Sequence, residues 1–220
     1  MGIMVAATII LFWVGNLYLS LSVPFEKMSL ARGIFHFLIQ TYLFTGLFIT
    51  AHDSMHGTVS KNRQINRAIG YFTTFLYAGL WFKKLLKNHR LHHKFPAASE
   101  DPDYAEGNFI KWYFSFMMKY VSVLQIIIMA VFFNLLKLFA EDLSIIIFWA
   151  IPALLSSVQL FYFGTYAPHK KPHTSEMLPH NARTLRKGHI YAMLTCYFFG
   201  YHAKHHINPG IPWWKLYQTK

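Results

Sequence analysis

Residues 34–57 read IFHFLIQTYLFTGLFITAHDSMHG. Residues 34–51 form an apolar run with no Lys, Arg, Asp or Glu. A helix needs about 20 such residues to cross a bilayer. The run passes without a loop into His52-Asp53-Ser54-Met55-His56. Residues four apart share a helix face, so His52 and His56 form a pair of imidazoles at the mouth of a span. A span that ends on paired histidines predicts a helical membrane protein with its chemistry gathered at one surface.

Three further apolar runs lie at about 3–21, 121–139 and 144–166. An amphipathic stretch, 112–120, precedes the third, and Pro152 is expected to kink the fourth. The patch 68–82 is short for a span and reads as an interfacial or re-entrant helix. The expected fold is an all-α integral membrane protein, about four transmembrane helices plus interfacial helices, forming one membrane-embedded domain over residues 1–220. The first run has no Lys or Arg ahead of it and no small-residue cleavage pattern behind it, so it reads as a retained span and not a signal peptide. With six residues after Trp214, no tail function is expected.

Composition agrees. Of 220 residues, 54% are hydrophobic and 14% charged, where about 25% charged is usual for a soluble domain. Mean hydropathy is +0.27. A single cysteine, Cys196, excludes an intrachain disulfide. The net charge of +12 raises the question of nucleic acid. The distribution of the charge excludes it. Nine Lys and Arg fall in 57–112, eight follow residue 167, and three (Lys27, Arg32, Lys137) sit in the short connectors. By the positive-inside rule, four spans then place both basic regions and both chain ends in the cytoplasm, against the anionic inner leaflet of the membrane.

Histidine is plentiful, thirteen residues, while Asp and Glu together number nine. His-x-x-His-His occurs twice, at 89–93 (HRLHH) and 202–206 (HAKHH). Each box, if helical, gathers His89, His92 and His93, or His202, His205 and His206, on one side. With His52 and His56 these make eight candidate metal ligands, more than one ion accepts, so two ions are expected. His169 directly follows the fourth run and is the expected ninth ligand. His36 lies near the far end of the second span and is expected outside the site; His173, His180 and His189 are expected at the surface. Imidazole suits zinc, copper, nickel and iron alike. The chain has no HExxH of a hydrolytic zinc site and too few acids for the soluble carboxylate di-iron class. An iron pair that activates dioxygen is the expectation. A ligating histidine usually hands its other N–H to an acceptor; Asp53 and Asp103 are expected to serve so, while Asp101, in DPD, is expected to form a turn.

HDSMHG (52–57), HRLHHKFPAASEDPD (89–103), FYFGTYAPH (161–169) and LTCYFFGYHAKHH (194–206), followed by PWW, resemble the bacterial beta-carotene ketolases. These belong to the wider superfamily of membrane di-iron hydroxylases and desaturases with histidine boxes. The likeness runs from about residue 45 to 214. The boxes alone are specific to the superfamily; HDSMHG with FYFGTYAPH and the final box before PWW is more specific. The resemblance implies a carotenoid taken from the bilayer and oxygen inserted twice at the ring methylene beside the ring double bond. Loss of water then gives a ketone. It also implies two Fe ions, O2 as co-substrate and electrons from an external ferredoxin-type donor, and it assigns His52, His56, His89, His92, His93, His169, His202, His205 and His206 as ligands. A carotenoid ring 3-hydroxylase, a fatty-acyl desaturase and a non-catalytic membrane metal-binding protein are the competing expectations.

Overall fold

The computed structural model describes residues 1–185 and 188–219. Three of the eight basic residues counted in the tail, Arg186, Lys187 and Lys220, lie outside the described residues. Helices run over Gly2–Leu21 (α1), Leu30–Met55 (α2), Arg63–Ala78 (α3), Phe82–Lys94 (α4), Phe109–Tyr120 (α5), Val123–Leu136 (α6), Asp142–His169 (α7), His189–Cys196 (α8) and His202–Ile207 (α9). No strand occurs among the described residues.

Helix starts follow local chemistry. The side chains of Ser29, Asn62, Asn108 and Ser122 accept hydrogen bonds from backbone N–H groups of the first turns of α2, α3, α5 and α6. Each such cap satisfies donors that the helix itself leaves open. α3 ends at Gly79, whose φ of +63° only glycine adopts at no cost. The Gly79 N–H donates to Phe75 O and the Leu80 N–H to Thr74 O, closing the helix and turning the chain into α4.

α2 is the central mast. It packs against α1, α3 and α7, and every residue from Leu43 to Ser54 except Phe48 is buried. α6 is the opposite case: none of its residues is buried, and Val123, Leu124, Ile126, Ile127 and Val131 are all exposed. Met129, Phe132, Phe133 and Leu136 turn one side of α6 to the core, and an apolar face left without cover belongs against lipid.

α1, α2 and α7 are each long and apolar enough to span a membrane; α5 and α6 qualify as a pair, bent by 87°. Contacts show that the pair travels from one end of the bundle to the other. Its beginning is tied to the histidine end by Trp112 Nε1, which donates to Asp103 O at 2.7 Å. Its exit leads to Glu141, which accepts from Phe25 N–H at 3.4 Å in the α1–α2 connector. The pair can therefore serve as the fourth crossing, but through an elbow where the sequence suggested one run over 121–139.

Pro152 does not break α7. A proline lacks a donor and its ring crowds the carbonyl four residues back. Here a π-helical turn, Ile146–Ala150, immediately precedes Pro152 and opens the ladder at that point. The same device recurs as Tyr162–Tyr166 ahead of Pro168. α7 continues past Pro152 to His169 as one apolar span.

The far half of α1 and α2 holds a buried polar knot. Asn16 Nδ2 donates to Gln40 Oε1 at 2.7 Å and to His36 O at 3.1 Å, while His36 Nδ1 lies 2.8 Å from Asn16 Oδ1. His36 is thereby occupied away from the other histidines, as expected. The knot pairs its groups with one another, as polar residues do when they clamp membrane helices together.

Candidate metal centre

Nine histidines from four helices converge at one end of the bundle, in two groups. His52 of α2, His56 at its C-terminal cap, His89 and His93 of α4, and His205 of α9 each offer a ring nitrogen, all within 4.8 Å of one another. His92 of α4, His169 at the end of α7, and His202 and His206 of α9 do the same. Nitrogens bound at about 2.1 Å to one ion would lie about 3 Å apart when adjacent and about 4.2 Å apart when opposite. Each group has the dimensions of one metal sphere.

The two boxes divide between the groups in opposite senses. Each residue turns a helix by about 100°, so residues three and four along lie on opposite sides of the first. His89 and His93 join the five-histidine group while His92 turns to the other. His202 and His206 join the four-histidine group while His205 turns to the first. The sequence suggested a one-sided array for each box; in the structure each box bridges two centres.

Donor chemistry fits a cation. His169 Nδ1 donates to the Asn181 carbonyl at 2.9 Å. His92 Nδ1 donates to Asp101 Oδ2 at 2.9 Å. Both acceptors can only accept, which leaves each Nε2 as a lone pair turned inward. His202 Nε2 lies 3.0 Å from His169 Nε2, and His206 Nε2 lies 3.0 Å from His202 Nε2 and 3.1 Å from His92 Nε2. In the other group His56 and His89 approach to 2.6 Å and His93 and His205 to 3.0 Å. Both ring nitrogens of His52 are buried with no hydrogen-bond partner. Lone pairs so crowded call for a positive ion between them.

Electrostatics keep the lone pairs free. Burial, and then repulsion among neighbouring rings, holds His89, His202, His205 and His206 well below their ordinary pKa. Burial and the nearby Arg90 lower His56 to about 4. Burial also disfavours charge on His92, but the Asp101 carboxylate outweighs it and raises the pKa.

The acids are arranged otherwise than expected. Asp53 Oδ1 is 3.7 Å from His52 Nδ1, beyond hydrogen-bond reach. Adjacent residues on a helix point apart, and Asp53 Oδ2 instead accepts from the Trp213 backbone N–H at 3.1 Å, tying down the PWW segment. Asp103 does not bond to a histidine; its Oδ1 accepts from the Tyr120 hydroxyl. Asp101 makes the turn expected of it, accepting from Asp103 N–H and Ala97 N–H, and the same carboxylate also holds His92. His189 is exposed as expected, whereas His173 and His180 are half-buried. The Asn181 carbonyl and a left-handed turn at Tyr197 and Phe198, φ +48° and +60°, were not foreseen. That turn reverses the chain between α8 and α9 and aims the last box inward.

A cavity of about 420 Å³ opens beside the histidines. Phe48, Leu80, Phe116, Met129, Phe133 and Trp149 make much of its apolar wall; its polar end includes His52 and His89 of one group and His92 and His202 of the other. Trp81 is exposed and Phe161 is packed in the core, so neither adds to this wall.

Three helices long enough to cross a membrane, a bent pair that can make a fourth crossing, two histidine groups that could each hold a metal ion and an apolar chamber that touches both describe a membrane protein with a candidate metal site. The chain belongs to the fatty acid desaturase family, whose description matches residues 28–124 and 116–220. It is 40% identical over 183 residues to a beta-carotene ketolase of Paracoccus sp. (strain PC1), covering 82% of this chain and 76% of that protein. A beta-carotene ketolase of Paracoccus sp. (strain N81106 / MBIC 01143) is 38% identical over 190 residues, covering 85% and 78%. A zeaxanthin 4-ketolase of Chlamydomonas reinhardtii is 36% identical over 231 residues, covering 98% of this chain and 52% of that protein. No solved structure matches the chain.

Proposed function

We propose that this protein is a carotenoid ketolase that oxidises the ring methylene beside the ring double bond of a beta-ionone end group to a ketone. The observation that carries the reading is the apolar chamber ending on both histidine groups. A hydrocarbon ring fits such walls, gaining about 25 cal/mol for each Å² it buries. Family membership leaves desaturation and ring hydroxylation open; the ketolase names of relatives covering most of this chain favour ketone formation.

The nine histidines are the proposed ligands of two iron ions, which when bound would supply the dioxygen activation that C–H oxidation needs. The rest is done by the chain. Phe48, Met129, Phe133 and Trp149 bind the ring and exclude water. They hold one methylene toward the histidine end, and that position sets which carbon reacts. Each oxygen insertion consumes one O2, two electrons and two protons and releases one water; the geminal diol then loses water to the ketone. The electrons come from an external ferredoxin-type carrier. The distribution of basic residues favours a cytoplasmic position for the histidine end and both chain termini, within reach of that carrier.

Pigment analysis of beta-carotene-producing cells that express the chain tests the reading. Ketone-bearing rings are expected. Hydroxylated pigment with no ketone, or altered acyl chains with unaltered pigment, would reject it.

A further inference from the structure

Asp103 differs from the other acids near the histidines because it borders the cavity. Its residue is only 8% exposed. Its backbone is held on both sides: its N–H donates to Asp101 Oδ1 at 2.9 Å, and its carbonyl accepts from Trp112 Nε1 at 2.7 Å. Its Oδ1 accepts from Tyr120, whose side chain lines the same cavity. Its Oδ2 has no hydrogen-bond partner among the described residues. A carboxyl oxygen of Asp103 lies within 4.8 Å of a His92 ring nitrogen. A rigidly placed acceptor with spare capacity therefore stands in an apolar chamber, beside the histidines.

An acceptor without a partner at the wall of an apolar chamber is costly once water is displaced, and a hydrocarbon ring offers it no donor. The product of one oxygen insertion does. A ring alcohol formed at the histidine end carries a hydroxyl that has lost its water and needs an acceptor. We propose that Asp103, positioned by Tyr120, accepts the hydroxyl hydrogen bond of the half-oxidised ring and holds that alcohol for the second insertion. The proposal rests on the ketolase reading. In the second step the ring CHOH group, one O2, two electrons and two protons give the geminal diol and one water, and the diol loses water to the ketone. An enzyme that stops at the alcohol has no use for such an acceptor, so the pair would determine how far oxidation proceeds. A hydrogen bond to a carboxylate is worth roughly a tenfold to hundredfold gain in retention.

The test compares the wild type with Asp103→Leu and Tyr120→Phe, scoring alcohol and ketone products from beta-carotene and the KM for added ring alcohol. Metal content is measured on each protein. With metal retained, Asp103→Leu is expected to raise the released alcohol-to-ketone ratio at least tenfold. It should also raise KM for the ring alcohol more than KM for beta-carotene. An unchanged ratio, or equal loss of both steps with metal retained, overturns the proposal. If Asp103→Leu does not fold, Tyr120→Phe decides: a severalfold rise in the ratio supports the proposal and no rise overturns it. A wild type that oxidises no carotenoid ring at all refutes the ketolase reading itself, before any variant is compared, and this proposal falls with it.

Discussion

His92 is held from both sides, by Asp101 at Nδ1 and by the lone-pair crowd at Nε2. Removing the imidazole should cost more than one ligand, because the buried Asp101 would keep its two backbone donors but lose its imidazole partner. His92→Ala is expected to lose metal and activity together, read by elemental analysis and pigment formation. Asp101→Asn is expected to weaken metal affinity by about 10- to 100-fold, the usual effect of losing a ligand's outer partner, measured by competition with a chelator. Full affinity in Asp101→Asn would show that the bond is incidental. Acid should act in a defined direction. His56 has an ordinary pKa of 6.5 and a folded value of about 4. As pH falls below about 6.5 the unfolded chain takes up protons that the folded site refuses, so stability declines toward pH 4. Protons also compete with metal for the same nitrogens. Metal retention measured from pH 7 to pH 4 should fall across that window, and constant retention to pH 4 would contradict the proposed ligand set. The histidines themselves were legible from spacing alone, because i, i+3 and i+4 positions leave a plain mark in sequence. Their acid partners were not. Asp53 is next to His52 in sequence but helical rotation turns it away, and in DPD the turn decides which carboxylate faces His92.

Helices carry these residues to their places through a few local devices. Gly79 closes α3 in a left-handed conformation and lies against α6; a Cβ there would sit 2.8 Å from Ile128 Cγ2. Gly79→Ala would therefore combine backbone strain with a steric clash and is expected to destabilise the fold by roughly 1–3 kcal/mol. A lowered thermal midpoint in detergent checks this, and an unchanged midpoint would mean that the turn is not held as described. The apolar runs were readable because their length matches a bilayer. The elbow between α5 and α6 was not, since Val121 and Ser122 carry no Gly or Pro to mark an 87° bend. Pro152 marked the place where the regular ladder changes, but not the form of the change, a π-helical turn just before it. The left-handed pair Tyr197–Phe198 had no sequence signal, because neither residue type favours that conformation. Its partners hold it there: Tyr197 stacks on Tyr42 with ring centroids 4.3 Å apart and donates its hydroxyl to the Tyr42 carbonyl.

As a whole the molecule is a short bundle with its polar chemistry at one end and an oily chamber beneath it. The proposed orientation in the membrane rests on charge and can be tested directly. Cys196 is fully buried, so the natural chain should give little background with a thiol reagent. Lys61→Cys is expected to react from the cytoplasmic side and Glu26→Cys from the opposite side; the reverse pattern would overturn the assigned topology. The account depends most on the two histidine groups each holding an ion. Metal content per chain in the purified, active protein, in the wild type and in His56→Ala and His202→Ala, measures that claim most directly. The account predicts two irons per chain in the wild type and no more than one in each variant. A single ion in the wild type, or stoichiometric zinc with full activity, would contradict it.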